Sequence, residues 1–135
     1  YTVDEVGTEL ATETRLLNSS GVVDSSNYDH ASWSMATNGT GEFNDENADK
    51  WQYTIYNEST YGGFYVMYIY NPADTSSYTF SNWQTSTLYL ASSTKTYIAR
   101  KAMGVLKVAE AHTGIQVYAA SSNITKAKLT VYGVQ

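Results

Sequence analysis

The chain has 135 residues, of which 42% are hydrophobic and none is cysteine. That suffices for one domain with a buried core, and it excludes wholesale disorder, a disulfide framework and a thiolate metal site. Charged residues are only 16% while Tyr reaches 13, so polarity comes largely from hydroxyl and amide groups, which suit a pleated sheet and adaptable binding surfaces. The net charge of −5 is unevenly spread: residues 1–74 hold twelve acidic and two basic side chains, residues 75–135 one acidic and six basic. Net acidity argues against nucleic-acid binding. The split fits head-to-tail contact between copies or docking on an oppositely charged surface, and equally a fold that mixes the two halves.

Taken in chain order, strand signals dominate and no window sustains a helical period over three turns. Residues 10–17 mix Thr, Glu and Arg before two Leu, and the turn formers Asn18-Ser19-Ser20-Gly21 close them. Ala31, Trp33 and Met35 alternate with polar neighbours, and Asn38-Gly39-Thr40-Gly41 marks the next turn. Residues 45–51 offer the best short helix, about one turn. Trp51, Tyr53 and Ile55 alternate again, and Tyr61-Gly62-Gly63 breaks the chain. Residues 64–70 (FYVMYIY) are apolar throughout and predict a central strand covered on both faces. After the turn Asn71-Pro72-Ala73-Asp74 come Tyr78 with Phe80, then residues 88–90, 97–100, 105–108, 115–118 and 129–132, with His112-Thr113-Gly114 as a further turn. About ten short antiparallel strands in one domain spanning 1–135 predict an all-β sandwich or jelly roll.

No apolar run approaches the length of a transmembrane helix, and no basic segment followed by an apolar one opens the chain, so neither a membrane span nor a signal peptide is expected. The first residue is Tyr1 rather than Met, which leads us to expect a processed start or an upstream part.

Chemistry is thinly represented. Asp45, Asn47 and Asp49 have a D-x-N-x-D spacing that can wrap oxygens around Ca²⁺, but the EF-hand pattern needs Gly and Glu where Lys50 and Tyr56 stand, so a solvated loop is the expectation. His30 and His112 are accompanied by no nucleophile elbow, no H-E-x-x-H and no paired-carboxylate signature, so neither enzyme activity nor a cofactor is expected. The sequons at Asn18, Asn38, Asn57 and Asn123 read as turns. Aromatic residues are the main candidates for binding. Tyr56, Tyr61, Phe64 and Tyr65 flank Gly62-Gly63, and Trp83 stands beside Gln84. Such rings with polar handles serve core packing or subunit interfaces, or stack on the sugar rings of a glycan.

Several short motifs follow one another along the chain. They are Thr14-Arg15-Leu16-Leu17-Asn18-Ser19-Ser20-Gly21, Ser26-Asn27-Tyr28-Asp29, the run 64–70 with Asn71-Pro72 and Tyr78-Thr79-Phe80, and then Gly104-Val105-Leu106-Lys107, Thr113-Gly114-Ile115, Ser121-Ser122-Asn123-Ile124 and Val131-Tyr132-Gly133-Val134. In this order and spacing the chain resembles a family of small Tyr/Ser/Thr/Asn-rich virion proteins of tailed phages, especially those of marine bacteria. The resemblance implies a β-sandwich on the virion surface, trimeric and without enzymatic activity, with itself and other capsid or tail proteins as partners. The family carries a further strand ahead of the position of Tyr1, which implies a strand supplied from upstream or by a partner chain. Two function classes follow. One is a structural subunit that decorates or cements the capsid, or forms a head or tail fibre knob. The other is a fibre-tip module recognising a host surface glycan. A bacterial adhesin or secreted lectin-like domain shares the composition.

Overall fold

The computed structural model describes residues 2–4, 10–23, 25–57, 63–91, 94–121, 124 and 126–133. Its regular structure is all β. In chain order the strands are β1 (Thr2–Asp4), β2 (Leu10–Asn18), β3 (Gly21–Val22), β4 (Tyr28–Ala36), β5 (Gly39–Ala48), β6 (Trp51–Asn57), β7 (Gly63–Tyr70), β8 (Thr79–Ala91), β9 (Thr94–Leu106), β10 (Gly114–Ala119) and β11 (Lys126–Lys128). They form two antiparallel sheets. The larger has seven strands in the order β11-β1-β7-β8-β9-β4-β5. In the smaller, β2 pairs with β10 on one edge, while β3 and β6 share its other edge. The β6 strand lies against β8, β7 and β4 of the large sheet, making a β-sandwich.

The alternation read from the sequence explains which side of each strand is buried. In β2, Thr12, Thr14 and Leu16 are buried and Glu13 and Arg15 point away. In β8, Thr79, Ser81, Trp83, Thr85 and Thr87 face inward. The core gathers Leu16, Tyr28, Trp51, Tyr65, Trp83, Ala102 and Leu106 from both sheets. Trp51 is its centre: the Tyr28 ring meets it edge-on at 5.2 Å and Trp83 packs at 6.1 Å.

Four expectations about local structure are corrected. Residues 45–51 form no helical turn; β5 runs on to Ala48, and Asn47 takes a left-handed φ of 54°. Asn tolerates that conformation, and its N–H donates to Asp29 Oδ1 (2.8 Å) while its side-chain oxygen accepts from Lys107 Nζ (2.8 Å). The run 64–70 is covered on one face only: Tyr65 is buried, whereas Phe64, Tyr68 and Tyr70 are about half exposed. The middle of the large sheet is β8 instead. The short strands expected at 78–80 and 88–90, and at 97–100 and 105–108, merge into β8 and β9, each of 13 residues. Residues 129–132 are not a strand; β11 ends just before them.

Tyr28 ties the two sheets together by polar contacts as well as packing. Its hydroxyl donates to Val23 O (2.9 Å) and accepts from Leu16 N–H (3.0 Å), all within the core. Tyr28→Phe would leave that N–H and carbonyl without the hydroxyl. Urea unfolding of this variant is expected to show a loss of about 1–3 kcal/mol, with little change in the slope.

Candidate functional site

The residues singled out from the sequence fall in different places. Tyr65 and Trp83 are buried, at 3% and 1% exposure. The Tyr65 hydroxyl lies on Met67 Sδ, and the Trp83 ring packs between Trp51 and His30. Both are core residues and offer no face to a ligand. The backbone of Tyr56 pairs with Ala11 in the small sheet; its side chain, and all of Tyr61, lie outside what is described. The acidic triplet is distributed over several partners. Asp45 accepts from Gln52 Nε2 (3.0 Å), Asn47 from Lys107, and Asp49 from Arg15 and Lys50. Among the described residues no group of three or more His, Cys, Asp or Glu side chains is placed to hold a metal.

His30 projects from β4 between the sheets, with its ring 5.4 Å from Phe43 and 6.1 Å from Trp83. Burial holds its pKa below the ordinary imidazole value, opposed by Asp45 across the strand pair and by Asp29, and assisted by Arg100. His112 sits in the loop before β10, its backbone N–H donating to Pro72 O (2.6 Å), and burial lowers its pKa too, against Glu110. Both groups take up protons more readily when unfolded. Their contribution to stability is therefore complete above the unfolded value near 6.5 and declines as pH falls below it. The unfolding free energy read from urea titrations is expected to drop between pH 7.5 and pH 5, by at most ~1.4 kcal/mol per pH unit for each proton taken up, and His30→Phe should flatten that decline. Asp29, held low by the Asn47 N–H and Lys107, adds to the loss only below its ordinary value near 3.8.

Most of the described aromatic residues that reach the surface, Tyr78 and Tyr132 apart, share one face, the outer side of the large sheet. Cross-strand register sets them in rows. Tyr70 stands opposite Phe80, and Phe80 opposite Val105. The next row is Tyr68, Asn82, Met103 and Ala31; then come Val66, Gln84, Lys101 and Trp33; then Phe64, Ser86, Ala99 and Met35. Tyr97 opposite Leu88 extends the surface. The large side chains here are mostly about half exposed. Hydroxyls and amides are interleaved with the rings: Asn82 Nδ2 donates to the Tyr70 hydroxyl (2.8 Å), and Ser86 Oγ and the Tyr97 hydroxyl share a hydrogen bond (2.9 Å). Lys101 brings a charge into the rows, and at the corner Asp29 is paired with Lys107 (2.8 Å).

An apolar surface of this extent on a folded domain is a candidate interaction site. The aromatic-rich composition with few charges is that of an interface core. Of these residues the sequence pointed to Phe64 only. The signal for the others was parity: once Trp83 is inside, Phe80 and Leu88 must face out, because successive side chains of a strand alternate.

No family model matches the chain, and neither a curated protein nor a solved structure matches it significantly.

Proposed function

We propose that this protein is a non-enzymatic structural subunit on the surface of a phage virion, a capsid decoration or fibre-knob protein, that assembles as a homotrimer through the outer face of its seven-stranded sheet. The observation that carries the assembly is that face, with its rows of half-exposed aromatic and Met side chains. Its span fits a contact between copies. Five strands ~4.8 Å apart and eight residues at ~3.3 Å give a footprint of roughly 500 Å² before side-chain relief, approaching the ~800 Å² of accessible surface each partner of a standard interface buries. The virion assignment is supported by the ordered motifs resembling phage virion proteins.

A second reading has its own observation. Asn82 and the Tyr70 hydroxyl lie beside the Phe80 and Tyr68 positions, a combination of stacking surface and hydrogen-bonding groups that suits a glycan. The deciding experiment is light scattering of the full chain at micromolar concentration, together with immunodetection on purified particles. A trimer present on particles is expected. A monomer with no copies on particles overturns the proposal, and a monomer that binds host surface polysaccharide replaces it with the glycan-binding reading.

A further inference from the structure

Among the described residues neither outer edge of the large sheet is paired, and the two edges differ in charge. At one end β5 is a ten-residue edge strand with Glu42 and Glu46 exposed. Among the described residues nothing pairs with its far side. At the other end stands β11, with Lys126 and Lys128 in its three residues. The chain then runs on as Leu129-Thr130-Val131-Tyr132, a sequence of high strand preference that is nevertheless not a strand. Val131 and Tyr132, at 74% and 82% exposure, stand further into solvent than the other large hydrophobic residues whose exposure is described. A strand-forming apolar segment beside an open edge is a template for pairing with another chain.

We propose that copies join edge to edge: β11 and residues 129–132 of one copy form a continuous strand that pairs with β5 of the next. This rests on the oligomeric reading above and names its second contact. Direction follows from topology. Six antiparallel steps separate β11 from β5, so the two edges run the same way. A sheet that continues across a rotational axis therefore joins them in parallel. Charge matches as well. Lys128 pairs with Thr2, and Thr2 with Phe64, which places Lys128 on the outer face. Glu42 pairs with Trp33 on that same face. In the joined sheet Lys128 of one copy lies on the same face as Glu42 of the next, at adjoining edges, the arrangement that suits the uneven charge along the chain. Because the edges are different surfaces, the contact is head-to-tail, and it closes into a ring when the rotation allows. Main-chain hydrogen bonds give affinity and the charges set register and partner.

The test uses three double variants of the full chain, and a fourth protein that combines the two charge variants, with mass by light scattering and fold by circular dichroism. T130P/V131P removes the N–H that faces the neighbour whichever of the two it is, and it touches only exposed residues. It is expected to be a monomer with an unchanged β spectrum. E42K/E46K and K126E/K128E should each raise the dissociation constant at least tenfold at low salt, and all four substitutions together should restore association. If all three variants keep the wild-type mass, the edge contact is wrong while the oligomeric reading stands. If the wild-type chain is itself a monomer, both fall.

Discussion

Gly104→Val is expected to destabilise this chain severely. Gly104 lies on the inner side of β9, between His30 on β4 and Ser81 on β8. Its missing side chain is occupied by the indole of Trp51: a Cβ there would stand 2.5 Å from Nε1, 2.8 Å from Cδ1 and 3.1 Å from the Asp29 carbonyl oxygen. Trp51 is wholly buried at the centre of the core and has no room to retreat, because Tyr28 and Trp83 hold its ring. The requirement is close approach, not backbone conformation. Gly104→Ala should cost about 1–3 kcal/mol and Gly104→Val more, against a total stability of about 5–15 kcal/mol for a domain. Urea unfolding checks this. Gly133→Ala, with open space around the added carbon, is the control and should change little. The Gly104→Ala/Trp51→Phe pair should cost less than the sum of its parts, because the shorter ring relieves the clash. Equal costs at Gly104 and Gly133 would refute the account.

Placing two lysines on the outer face, Phe80→Lys with Met103→Lys, is expected to separate the copies without unfolding them. Both residues are exposed in the single chain, so surface substitution there should move stability by no more than about 0.5 kcal/mol. In an assembled face each becomes a buried charge, and well-placed interface residues cost about 2 kcal/mol or more when lost. The pair should therefore weaken association by about a thousandfold, enough to yield a monomer at micromolar concentration with an unchanged circular dichroism spectrum. The same residues discriminate the second reading. If the mass of the wild type persists in the variant but binding to host polysaccharide disappears, the face recognises glycan and not a copy of itself.

Several features were legible in the order of residues alone. The absence of a sustained helical period, the frequency of Thr and Tyr, and turn formers such as Asn18-Ser19-Ser20-Gly21 and Asn38-Gly39-Thr40-Gly41 define an all-β chain and locate most of its hairpins. These signals are local, and local chemistry acts within a few residues, so they survive whatever the rest of the chain does. Even Asn47, where a helical turn was expected, is a residue suited to the left-handed conformation it adopts.

Tertiary structure decided the remainder. Alternation states that Trp83 and Phe80 lie on opposite faces, but only packing of β6 against β8 decides that Trp83 goes inside. In the apolar run 64–70 no parity is visible, because Phe64, Tyr68 and Tyr70 are as hydrophobic as the residues facing the core, and a surface meant to be covered by something else carries the same signature as a core. Nor could sequence place Gly104 under Trp51, or show that residues 129–132 pair with no strand among the described residues. Strand pairing depends on which backbone lies alongside, and that is settled between segments far apart in sequence: β11 on β1, β4 on β9, and two edges of opposite charge that no other described strand pairs at the ends of one sheet.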